Sequence, residues 1–143
     1  SDLAMSIAAP SELKEAAVAY HTATAFPAIH DPKYPVSRVA GLLEPYLRAI
    51  VARVHPVKVV LFGSYAYGQP SEHSDFDLLV VWQGMASAKE SNLEMRRAIW
   101  DVAAPPASFT FLSQTAEGLA EKLRSGSFIY REVMDKGVEV YAA

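Results

Sequence analysis

The chain has 143 residues, 51% hydrophobic and 20% charged, proportions that suit one soluble globular domain with a core of useful size. It contains no cysteine, which excludes disulfides, zinc–thiolate sites and thiol nucleophiles. The net charge of −3, with Lys and Arg scattered, argues against a nucleic-acid-binding face; the apolar runs are strand-sized, and residues 1–9 lack the features of a signal peptide, so a cytoplasmic protein that spans no membrane is expected.

Residues 11–25 are alanine-rich and predict a helix with Ser11 as N-cap. Phe26 to Pro35 holds three prolines and predicts a connecting loop, which would separate an N-terminal appendage (1–35) from a main domain (36–143). Val39, Leu42, Leu43, Tyr46, Leu47, Ile50, Val51 and Val54 recur at helical spacing. Pro45 interrupts them, so either the helix kinks there or a fresh helix begins near Glu44; the second reading is preferred. After His55-Pro56, residues 57–62 predict a buried strand, and residues 75–82 a second one beyond a polar loop. Ser87 and Glu90 have capping-box spacing and open a helix running to about Ala103, which Pro105-Pro106 stops. A third strand is expected at 108–112, helices near 115–124 and 127–136 with Gly137 just past the second, and a last strand at 138–141.

The chemistry concentrates in Leu61-Phe62-Gly63-Ser64-Tyr65-Ala66-Tyr67-Gly68 and, after a polar loop, Ser74-Asp75-Phe76-Asp77-Leu78. Residues i and i+2 of a strand project from one face, about 7 Å apart, so Asp75 and Asp77 point the same way. Two neighbouring carboxylates raise each other's pKa unless a positive charge lies between them. Mg²⁺ meets that need, being commonly held by one or two carboxylates together with substrate phosphates. Gly63 lacks a Cβ and lets a phosphate approach the backbone, and the Ser64 hydroxyl can donate to it. A helix starting after Ser64 would add its N-terminal partial charge. His73, in the loop beside the acids, could touch phosphate or metal, although plain exposure is the commoner state for such a residue. His21, His30 and His55 have no ligating spacing. Tyr65 and Tyr67 could stack on a base but are expected to pack on the domain, and Arg96-Arg97 to lie on a solvated helix face. Trp82 and Trp100 are expected in the core or facing a partner.

Gly63-Ser64, ten intervening residues, then Asp75-x-Asp77 resembles the signature of the minimal nucleotidyltransferases of the DNA polymerase beta superfamily. The resemblance covers about residues 40–141 and implies an α/β fold, a mixed sheet flanked by helices. It implies that Gly63 and Ser64 hold the triphosphate of ATP or another nucleoside triphosphate, and that Asp75 and Asp77 bind two Mg²⁺ ions and serve catalysis. The reaction it implies is attack of an acceptor hydroxyl on the α-phosphorus with loss of pyrophosphate. Minimal members often act as antitoxins on a small helical HEPN-type partner protein, which suggests a protein acceptor; some aminoglycoside-modifying enzymes share the signature. The family also has a third carboxylate on a neighbouring strand, where this chain reads Ala107-Ser108-Phe109-Thr110-Phe111, and many relatives have Arg where Tyr67 stands. Asp101, across the Pro105-Pro106 break and expected on the preceding helix, is the candidate substitute for that acid. A catalytically degenerate module that binds nucleotide or a partner is the alternative.

Overall fold

The computed structural model describes residues 25–84 and 87–143. The helix expected over 11–25, its Ser11 cap and His21 lie outside them, apart from Ala25. Two short 3-10 turns, Pro27–His30 and Pro35–Val39, lead into helix α1 (Ala40–Val54). Then follow β1 (Lys58–Phe62), a single helical turn α2 (Ser64–Tyr67) and β2 (Phe76–Trp82). Helix α3 (Ala88–Trp100) crosses to β3 (Phe109–Thr115). Helices α4 (Ala116–Arg124) and α5 (Phe128–Lys136) return the chain to β4 (Val138–Ala142).

The four strands form one mixed sheet in the order β3-β2-β1-β4. β1 runs antiparallel to β2 and β4, and β2 runs parallel to β3, as the helical crossover through α3 requires. Strand alternation sorts the apolar side chains onto two covered faces. Val59, Leu61, Leu78 and Val80 meet α1 and α3 through Leu43, Leu47, Ile50 and Met95. Val60, Phe62, Leu79 and Val81 meet α4 and α5 through Leu119, Tyr130 and Val133. With both faces buried, β1 and β2 read as continuous apolar runs. None of the described helices is long and apolar enough to cross a membrane.

Three expectations are corrected here. The segment expected as a loop places Phe26 and Ile29 in the core with Val36, so its prolines set 3-10 turns rather than a free connection. α1 is continuous through Pro45 rather than starting near Glu44. The ring deprives the Gly41 carbonyl of its helical donor, but Gly41 is exposed and water can take that place. Gly137 ends α5 with φ −68°, not in a left-handed turn. It is glycine for lack of space: a Cβ there would stand 2.3 Å from the Val133 carbonyl oxygen and 2.7 Å from Val60 Cγ1. Left-handed backbone ends helix α1, at His55 (φ 48°), and closes α4, at Gly126 (φ 83°). Ser87 caps α3 as expected, its Oγ accepting from the Glu90 amide at 3.1 Å, although the helix ends at Trp100 rather than near Ala103.

Candidate active site

The site forms where β1 ends and β2 begins. Because the two strands are antiparallel, with Phe62 opposite Asp77, the turn leaving β1 meets the first residues of β2. Gly63 adopts φ 75° and ψ −156°, a region essentially restricted to glycine. A Cβ on Gly63 would stand 2.1 Å from Asp77 Oδ2, so the carboxylate is seated against the glycine itself. Ser64 follows as the first residue of α2, and its hydroxyl has no partner among the described residues. With only four residues, α2 has no macrodipole of consequence; its contribution is the two leading amides, Ser64 and Tyr65, that a helix start leaves without helical acceptors. The expected helix-end charge is corrected to that extent.

Asp77 lies on the sheet face of Leu79 and Val81, with Asp75 two residues earlier and more exposed. Burial, and then the charge of Asp75, raise the Asp77 carboxyl above the ordinary carboxylate range. Thr110 stands directly opposite Asp77 on β3. Its hydroxyl donates to Asp75 Oδ2 at 3.2 Å and also lies close enough to Asp77 to oppose the rise there. One hydroxyl proton serves one acceptor at a time, so Thr110 relieves the pair only partly.

Among the described residues no group of three or more His, Cys, Asp or Glu converges as a metal site. Asp101 caps the end of α3 and does not join the two acids. The donor set that is present, Asp77 seated against Gly63 with the charge of Asp75 near it, fits an oxygen-loving divalent cation that completes its shell from phosphate and water.

His73 is exposed; its ring stands 3.5 Å from Glu72 and its amide donates to Ser71 Oγ at 3.2 Å. His30 pairs with the buried Glu44 at 2.9 Å. Tyr65 is buried and stacks on Phe76, with ring centroids 4.5 Å apart. Arg96 is exposed, as expected, and its guanidinium also lies over the Phe111 ring and donates to the Phe109 carbonyl at 3.0 Å. Arg97 is exposed and pairs with Glu94. Trp82 packs against the core, while Trp100 is 84% exposed. Two residues that the sequence reading passed over approach the site from α5. Glu132 accepts from the Tyr67 hydroxyl at 2.9 Å, and Lys136 Nζ stands 5.8 Å from the centre of the Tyr67 ring. Burial, followed by that bond to Glu132, pushes the Tyr67 phenol upward.

An open cleft of about 300 Å³ is lined by Leu42, Tyr65, Glu72, His73, Ser74, Phe76 and Pro106 to Ser108; Phe76 belongs to the α1–α3 face of the sheet, opposite the face of Asp77.

A carboxylate seated on the glycine of a Gly-Ser turn, with a second acid two residues away, lies at the end of a mixed sheet covered by helices on both faces, an α/β domain. The family model of the nucleotidyltransferase domain matches residues 44–136, and the chain belongs to that family. No curated protein matches the chain. A solved structure from Sulfolobus solfataricus, provisionally named a nucleotidyltransferase, is similar with a TM-score of 0.49 and 19% identity over 71% of this chain and 78% of that one.

Proposed function

We propose that the chain transfers a nucleoside monophosphate from a nucleoside triphosphate, ATP among the candidates, to a hydroxyl acceptor. The observation that carries this reading is the contact between Asp77 and Gly63, which joins the acid pair to the Gly-Ser turn in one site. The Ser64 hydroxyl, without a partner among the described residues, would donate to a phosphate oxygen beside the leading amides of Ser64 and Tyr65. Asp75 and Asp77 would hold Mg²⁺, which when bound supplies the positive charge that steadies the phosphoryl oxygens and the departing pyrophosphate. Thr110 fixes one oxygen of Asp75 and so orients that carboxylate. The acceptor we favour is a hydroxyl on a partner protein, a small helical HEPN-type protein in an antitoxin-type pairing, in line with the family resemblance.

Thr110 favours a second reading. It occupies the position opposite Asp77 where a third carboxylate would stand, and a hydroxyl neither neutralises a second cation nor takes a proton from an acceptor. In that reading the domain binds nucleotide without transferring it. Transfer of label from a triphosphate marked at the α-phosphorus to the partner distinguishes the two, measured for the wild type and for Thr110→Asp. The enzyme reading expects slow transfer that Thr110→Asp raises at least about tenfold, a modest share of what a positioned acid–base group supplies. Nucleotide binding with no transfer by either protein would favour the second reading.

A further inference from the structure

The Gly-Ser turn carries no cation of its own, and a triphosphate has more charge than the turn's donors can meet. The end of α5 offers one. Gly137 is pressed so closely onto β1 that a Cβ would stand 3.0 Å from the Leu61 carbonyl oxygen. Val138 pairs with Leu61 in the antiparallel β1–β4 register, which sets the end of α5 against the end of β1, from which the Gly-Ser turn leaves. Tyr67 links the two places. Its amide donates to the Gly63 carbonyl at 3.1 Å, and its ring lies beneath the Lys136 ammonium.

Glu132 and Lys136 are four apart on α5, a spacing at which glutamate and lysine ordinarily pair. Here the Tyr67 hydroxyl takes the Glu132 carboxylate at 2.9 Å, and Lys136 makes no ion pair among the described residues. The helix thus keeps an uncompensated ammonium over an aromatic ring beside the turn.

We propose that Lys136 binds the β- or γ-phosphate of the nucleoside triphosphate and gives the site its preference for triphosphate over monophosphate. Tyr67 positions it, both by the ring it rests on and by holding Glu132 away. This inference rests on the nucleotide-site reading given above.

The test is calorimetry with Mg-ATP and with AMP on the wild type, Lys136→Gln, Lys136→Arg and Tyr67→Phe. Lys136→Gln is expected to weaken Mg-ATP at least about tenfold, the loss of one charged hydrogen bond, and to leave AMP within about twofold. Lys136→Arg should retain most of the ATP affinity. Tyr67→Phe keeps the ring but frees Glu132 to pair with Lys136, and should weaken ATP by about twofold, the strength of such a helix pair. Unchanged ATP affinity in Lys136→Gln, or equal weakening of ATP and AMP, would overturn the inference and leave the site reading intact. A wild-type protein that binds no triphosphate would overturn both.

Discussion

Asp77→Asn is expected to lower nucleotidyl transfer by more than about 100-fold, since loss of a mere outer-shell partner of a metal ligand already costs 10- to 100-fold. The same substitution should leave the fold intact and, at neutral pH without metal, slightly more stable. Burial and the Asp75 charge raise the folded-state pKa of Asp77 above its unfolded value. Between those two values the folded chain binds the more protons, so stability falls as pH rises through that interval. The penalty is absent below the unfolded carboxyl pKa and complete above the folded one. Asn carries no charge and removes it. Thermal melts in chelator should therefore show Asp77→Asn and wild type together near pH 3 and the variant melting higher at pH 7. A markedly lower melting temperature for the variant at pH 7 would show that the acid supports the fold, and the site reading would fail.

Gly63→Ala should be the more damaging change to the structure. The backbone at φ 75° and ψ −156° costs a non-glycine residue about 1–3 kcal/mol. The new Cβ also collides with Asp77 Oδ2, a further loss of about 1–3 kcal/mol unless the carboxylate swings away. Together these approach half the stability of a typical domain. The two terms can be separated, because only the collision involves Asp77. Adding Asp77→Ala to Gly63→Ala should restore the steric share but not the backbone share, a coupling of about 1–2 kcal/mol in a double-mutant cycle read by denaturant unfolding. Strict additivity would mean that the carboxylate is not seated on the glycine. Gly63→Ala should also lose metal-dependent nucleotide binding even where it remains folded, because Asp77 must leave its place.

The main body of the fold was legible because its signals are local. The continuous apolar runs of β1 and β2 follow from a sheet covered on both faces, and α1 and α3 declare themselves by helical spacing and, for α3, by the Ser87 cap. Pro45 misled because a proline's cost depends on whether the carbonyl it abandons can reach water, and the exposure of Gly41 is a tertiary fact. Phe26 and Ile29 misled in the same way: three nearby prolines look like a loop, and only the core shows where the two side chains go.

Within the site, the shared face of Asp75 and Asp77 follows from strand alternation alone. Their approach to Gly63 does not, since it depends on the β1–β2 register that sets Phe62 against Asp77, and the long connection between those strands leaves the register open. Thr110 could be named as the residue standing where a third acid belongs, because the third strand was recognisable. Glu132 and Lys136 could not, as nothing short of the packing of α5 on β1 brings them to Tyr67.

The central claim is that the Gly63–Asp77 contact builds a site for a metal-bound nucleoside triphosphate. Calorimetric titration of the wild-type protein with ATP, GTP, CTP and UTP, each with Mg²⁺ and with chelator, tests it most directly. Two adjacent carboxylates repel a bare triphosphate and welcome one that arrives with a divalent cation. At least one triphosphate should therefore bind in Mg²⁺ and lose most of its affinity in chelator. Binding that ignores the metal, or no binding of any of the four, would contradict the account.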